Sequence, residues 1–296
     1  SKDTDPVVVR VSDVQSDRFN LFLAEPSNLD RLHNTEETVS YLVLEAGSHW
    51  LPDGTHLEVA TVSTDATVSG SLASPTWEAI DFASTFAATP VVLSQPQTVD
   101  GEIFLSTRHD AITADSFRLA LEPEELTSAQ QDVQRVGYLA IDAGTGTWNG
   151  SPFQATTTTE SFTRFFRRVS FGQKYPSVPS VLASLASYNE TDNSHLRFQN
   201  LDLDSIDLKI EEETTADDEV QHHTRESVAY LAIGSQGPLN GVTTSIPDGL
   251  TQSFQLEVSD TGRVGDLDVK LELVHNLIED LDIFLEAPDG TIVELL

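Results

Sequence analysis

The 296-residue sequence contains no cysteine and no methionine. Neither disulfides nor thiolate metal sites can brace it, so each domain must rely on its own apolar core. For a secreted protein this points to a bacterial rather than an animal source. Positive charge is nearly as scarce: 16 Lys and Arg face 48 Asp and Glu, a formal charge of −32, and the lysines are Lys2, Lys174, Lys209 and Lys270. Phosphate backbones and anionic membranes repel such a surface, which argues against a nucleic-acid partner. Self-repulsion of this size is tolerated where ions screen it, within about 8 Å at physiological ionic strength. A saline setting is expected. Apolar runs of the roughly 18 residues needed for a membrane span are missing, and Ser1-Lys-Asp-Thr-Asp shows no charged-then-apolar leader. The expectation is a soluble protein without membrane insertion, extracellular or at a cell surface. With no initiator methionine, the chain reads as processed or as part of something longer. Missing too are a Gly-x-Ser-x-Gly elbow, a His-Glu-x-x-His pair and a phosphate loop. No enzymatic activity is expected.

What the sequence does contain is an internal repeat. Six positions recur at one offset of 89: Ile80 and Val169, Phe82 and Phe171, Phe86 and Tyr175, Pro90 and Pro179, Val92 and Val181, Phe117 and Ile206. Each copy closes on a related phrase, Tyr41-Leu-Val-Leu-Glu-Ala-Gly, Tyr138-Leu-Ala-Ile-Asp-Ala-Gly and Tyr230-Leu-Ala-Ile-Gly-Ser. The chain is a tandem array with a period of about 90 residues, and arrays usually display or bind in multiple rather than catalyse.

Within the copies apolar residues alternate with period two: Phe117, Leu119 and Leu121 in one, Ile206, Leu208 and Ile210 in another, Leu267, Val269, Leu271 and Leu273 in the tail. These are half-buried strands, separated by turn segments such as Pro52-Asp-Gly-Thr and Asn149-Gly-Ser-Pro. The fold class expected is all-β, tandem antiparallel sandwiches. Leu126, Ala129, Val133 and Val136 offer the one helical spacing. Residues 1–62 hold a partial first repeat, 63–150 a second, 151–242 a third and 245–296 a different module. The first copy begins at its middle, because Asp5-Pro-Val-Val-Val-Arg aligns with Ile103-Phe-Leu-Ser-Thr-Arg. Ser1 is therefore not expected to start a native domain. Trp50 and Trp148 follow the closing tyrosines by nine and ten residues and are expected to plug module junctions.

A strand ending in Phe82, then Phe86, Pro90-Val-Val-Leu-Ser, an arginine-bearing strand, Ile112-Thr-Ala-Asp-Ser-Phe and the closing Tyr-Leu-Ala-Ile together resemble the H-type lectin domain, a small antiparallel sandwich. More narrowly they resemble a bacterial branch with a His-Thr-x-Glu segment before the closing strand, which His223-Thr-Arg-Glu226 fits, His33-Asn-Thr-Glu36 fits loosely and Gln131 to Gln134 does not. The resemblance implies a carbohydrate-binding role, with Arg10, Arg108 and Arg197, each nine positions before its strand residue, donating to sugar hydroxyls. His33 and His223 would stand beside them. A planar guanidinium suits a polyol. The same arginines have a structural reading, because Glu37, Gln134 and Glu226 lie four residues before the closing tyrosines and could pair with them. His222 and His223 near Glu219 and Glu226 lack a third metal ligand at matching spacing.

From Ser245 the pattern changes. Val264-Gly-Asp-Leu-Asp, His275, Asp280-Leu-Asp-Ile and Ala-Pro288-Asp-Gly-Thr291 are similar, in order, to the P domain, the jelly-roll sandwich that follows the catalytic domain in proprotein convertases. Only about half of such a domain is covered. Some P domains hold calcium, and Asp280 and Asp282 are the candidate ligands; alternating acids on a strand also read as its solvated face. Three functions follow: a glycan-binding adhesion array gaining avidity from several weak sites, a structural subunit or stalk of an extracellular filament partnered by copies of itself, or the accessory region of a secreted subtilisin-like protease.

Overall fold

The structure, a computed structural model, describes residues 5–29, 33, 37–69, 71–216, 224–234, 283–287 and 290–294. The chain forms two compact units, Ser1–Gly241 and Val242–Leu296. Among the described residues there are strands and turns and no helix.

The first unit contains two complete sandwiches. In the second repeat, β3 (Gly47–Trp50), β4 (His56–Thr64), β9 (Gln134–Ile141) and β6 (Val91–Pro96) make a four-stranded antiparallel sheet in the order β3-β4-β9-β6. It faces a three-stranded sheet of β5 (Glu78–Asp81), β8 (Ser116–Pro123) and β7 (Leu105–Asp110). The third repeat repeats the plan strand for strand. There β10 (Gly144–Trp148), β11 (Ser151–Thr157), β16 (Val228–Ile233) and β13 (Ser180–Leu185) face β12 (Arg167–Ser170), β15 (Ser205–Glu212) and β14 (Ser194–Gln199). The repeated aromatics sit between the sheets: Phe82, Phe86, Phe117 and Tyr138 in one core, Phe171, Tyr175, Ile206 and Tyr230 in the other. Even a polar detail recurs. Glu58 accepts from Ala83 N at 2.7 Å and Gln154, its counterpart, from Gly172 N at 2.6 Å.

The sandwiches begin earlier than residues 63 and 151. Ser63 is the penultimate residue of β4, which pairs with β9 from Leu57 to Thr64, so the hairpin from Gly47 belongs to the second repeat; β10 likewise places the start of the third at Gly144. The repeated core aromatics lie downstream of these hairpins, which is why sequence identity alone sets the boundary too late. The helical spacing from Leu126 also fails. Thr127 N donates to Glu124 O at 2.9 Å in a turn, Leu126 and Val133 face solvent, and Val136 belongs to β9.

Of the first repeat, β1 (Val8–Ser12) and β2 (Asn20–Ala24) form an antiparallel hairpin, the counterpart of β7 and β8. Asp13, Ala111 and Asn200 follow β1, β7 and β14 directly, with φ of 49°, 49° and 50°. A left-handed turn residue at the same place in three copies marks them as one element. In the two complete repeats the closing phrases are buried on both faces. Val136, Tyr138 and Ala140 point into their own sandwich, while Leu139 and Ile141 point out to a shared core with Leu231, Phe153 and Ala229 of the third repeat. Leu42 and Leu44 of the first repeat pack against that same core. In the second unit, β17 (Phe284–Glu286) and β18 (Ile292–Glu294) pair as a hairpin around Gly290, whose φ of 85° suits glycine. The rest of the P-like segment, Asp280 and Asp282 included, lies outside the described residues.

Candidate functional site at the module junctions

Arg10, Arg108 and Arg197 occupy matching strand positions, on β1, β7 and β14. None reaches open solvent: their exposures are 0%, 0% and 7%. Each reaches across a junction into the following copy, and for Arg108 the partner expected in its own repeat, Gln134, gives way to Glu226 of the next.

Arg10 donates to the carbonyl oxygens of Ile103 at 2.6 Å, Thr98 at 2.7 Å and Glu102 at 3.1 Å, all in the loop that leads into β7. Gln134 holds that loop from its other side, accepting from Thr98 Oγ1 at 3.0 Å and donating to Asp100 O at 2.5 Å. Burial brings the Arg10 guanidinium down to about 10, against the attraction of Glu102. Arg108 Nε lies 2.9 Å from Glu122 Oε1 and its Nη2 lies 3.7 Å from Glu226 Oε1 in the third repeat, with both carboxylates fully buried. Its guanidinium carbon stands 5.2 Å from the Tyr188 ring centre. Glu226 braces its own loop as Gln134 does, accepting from Asn189 N at 2.7 Å and from Ser187 Oγ. Burial pushes the Glu122 carboxyl up to about 7, overcoming the opposing pull of Arg108.

Arg197 closes the circuit. Its Nε lies 2.9 Å from Glu211 Oε2, the counterpart of Glu122, and its Nη1 donates at 2.9 Å to the carbonyl of Asp5 in the first repeat. Asp5 stands fourteen residues before Phe19, as Ile103 does before Phe117. First grips second, second grips third, third grips first.

A second set of contacts follows the same order. Ser27 N and Oγ donate to Glu124, and Glu125 N donates at 2.5 Å to Glu213, the same positions one repeat on. At the third junction Pro26 stands where a glutamate would, and Asn28 Nδ2 bonds Thr214 O at 2.7 Å instead. Burial raises the Glu124 carboxyl.

The remaining sequence candidates sit elsewhere. The His33 side chain is buried, with Nδ1 3.0 Å from Glu25 and Nε2 3.8 Å from Glu37, so these acids hold the ring rather than leaving it to a ligand. Glu37 lines a groove with Arg197. His223 lies outside the described residues. Trp148 joins the core shared between repeats, whereas Trp50 is largely exposed and stacks on His56 with ring centres 4.6 Å apart. Sequence reasoning missed the buried Glu122, Glu124 and Glu213 and the half-buried Glu211, although Glu122 and Glu211, and Glu124 and Glu213, recur at the offset of 89 that marks the core residues. A search of the repeat frame for charged as well as apolar matches finds them. Three carboxylates, Glu190, Asp192 and Glu212, bring oxygens within 4.8 Å of one another and are the described group able to hold a cation.

No helix among the described residues is long and apolar enough to cross a membrane. No family model matches the chain, and no solved structure matches it. It is 27% identical over 257 residues to halomucin of Haloquadratum walsbyi, a large archaeal extracellular glycoprotein. That match takes in 83% of this chain and 3% of halomucin, so the chain is distantly and partially similar to a short stretch of a far longer protein.

Proposed function

We propose that this chain is a non-enzymatic structural block of an extracellular surface protein, its three repeats locked together and carrying a strongly acidic exterior in a saline medium. The observation behind this reading is the closed circuit of buried arginines. A sugar-binding guanidinium must meet solvent, and these three are committed to carboxylates of their own repeats, Glu122 and Glu211, and to carboxylate or carbonyl oxygens of neighbouring ones, Ile103, Glu226 and Asp5. Buried charge pairs of this kind add little net stability over apolar packing but fix which surfaces meet. The similarity to halomucin fits an extracellular place, and the formal charge of −32 fits salt.

Glycan binding through the same modules is the reading this competes with. A glycan array and isothermal titration of wild type and Arg197→Ala separate them. The structural role expects no sugar response that depends on Arg197 and a lowered melting temperature in the variant. A sugar bound by wild type and lost in Arg197→Ala, at unchanged melting temperature, overturns it.

A further inference from the structure

Among the described residues the first repeat forms half a sandwich, and the two complete repeats show the shape of the other half. In the second repeat β9 is flanked on both sides, by β4 and β6; in the third, β16 is flanked by β11 and β13. Among the described residues no strand pairs with residues 41–45, whose first four are the counterparts of Tyr138–Ile141 in β9 and Tyr230–Ile233 in β16. The consequence is visible in one residue: Tyr138 and Tyr230 are 6% and 1% exposed, Tyr41 is 65% exposed and Val43 is 69% exposed. Yet the half is already in its sandwich geometry. The Phe19 and Tyr41 rings meet at 5.4 Å and 67°, and the Phe117 and Tyr138 rings at 5.2 Å and 68°. Beside them runs a groove of about 520 Å³ lined by Val9, Leu23, Leu42 and Leu44 from the first repeat and by Leu93 and Leu182 from the other two.

We propose that this groove receives an opening half-module of the same repeat array, a segment equivalent to β3–β6, whose strands pair with both edges of residues 41–45. The two complete repeats specify the occupant's chemistry. A strand like Val91-Val-Leu would turn its central residue to cover Tyr41 and Val43, as Val92 covers Tyr138, and its outer residues to the shared core, as Val91 and Leu93 do. The backbone edges of residues 41–45 supply the ladder, so affinity comes from main-chain hydrogen bonds and selection from alternate apolar side chains. Arg197 contributes as well: its bond to the Asp5 carbonyl is the counterpart of the Arg10 bond to Ile103, so the loop arriving from the occupant would meet a preset donor. The inference goes beyond the structural role proposed above and rests on the geometry of the half-sandwich alone.

The test grafts a copy of residues 47–102 ahead of residue 5 in the otherwise full chain, since residue 5 is the counterpart of residue 103. Hydrogen exchange is followed at residues 41–44, with sedimentation velocity on the ungrafted chain beside it. Exchange at these amides should slow about tenfold or more in the graft, with a higher melting temperature. Val43→Asp should abolish both gains in the graft, while leaving the ungrafted melting temperature within about 2 °C because that side chain is exposed there. An unchanged exchange rate in the graft overturns the proposal. So does an ungrafted chain already protected at residues 41–44 and sedimenting as a dimer, which would make a second copy the occupant.

Discussion

Replacing Arg108 by methionine isolates what the junction contributes. The side chain keeps most of its length and loses its charge, leaving Glu122 and Glu226, both fully buried, without the Arg108 guanidinium. Removing one partner of a buried pair costs about 3–5 kcal/mol, because the orphaned charge stays desolvated. Ser106 still bonds Glu122 at 3.2 Å and three donors still hold Glu226, so the lower end of that range is expected. The size of the loss must also depend on pH. The Glu122 carboxyl already sits at about 7 with Arg108 beside it, and without that attraction it rises further. A carboxyl whose folded value exceeds its unfolded value contributes stability below the unfolded value and loses it as pH climbs through the folded one. The deficit against wild type should therefore be largest near pH 8 and shrink as pH falls to about 7, by up to about 1.4 kcal/mol per pH unit, and stay level below that because both proteins then hold Glu122 protonated. Urea unfolding at constant high salt gives the numbers, and Trp77, edge-on to Tyr188 at 5.5 Å, reports on this junction by fluorescence. Adding Glu122→Gln to Arg108→Met should restore much of the loss. A deficit below about 1 kcal/mol at pH 8, or one that widens as pH falls, would refute the reasoning.

Burial brings the His195 ring down to about 3 and the His109 ring down to about 4, each with a neighbouring arginine, Arg197 and Arg108, adding to the effect. Stability tied to a depressed histidine is present above its unfolded value near 6.5 and lost as pH falls toward the folded one, so His195→Leu should be more stable than wild type at pH 5 by a margin that shrinks toward pH 7, read from melting temperatures. Lowering KCl from about 2 M to about 0.1 M should lower the melting temperature, because the −32 charge is then poorly screened; a rise on dilution would count against a saline protein.

The cores were legible because burial on a sheet leaves a period of two, and Phe82, Phe117 and Tyr138 recur in Phe171, Ile206 and Tyr230. The non-alternating Tyr-Leu-Ala-Ile phrase carried a further message, burial on both faces, that fixes Leu139 and Leu231 in the core between repeats. The junction itself was harder to read. Arg10, Arg108 and Arg197 stand out by spacing, yet which repeat each one grips depends on how the copies are arranged around one another, and no local pattern encodes that. Pairing Arg108 with the glutamine of its own repeat was the natural local guess; the tertiary arrangement gives it Glu226 instead. Trp50 and Trp148 make the same point, since equivalent ends of two hairpins meet different neighbours.

Contacts that run first to second, second to third and third to first obey a counting rule. A head-to-tail interface either closes after a set number of turns or continues without end, and here Arg197 returning to Asp5 closes it at three. Gain or loss of a single copy by recombination would strand one arginine and one receiving loop at a mismatched seam. A protein built this way is expected to lengthen in triplets, each a self-contained link, so that the sequence grows by three repeats at a time while the number of seams open to their surroundings stays constant per link.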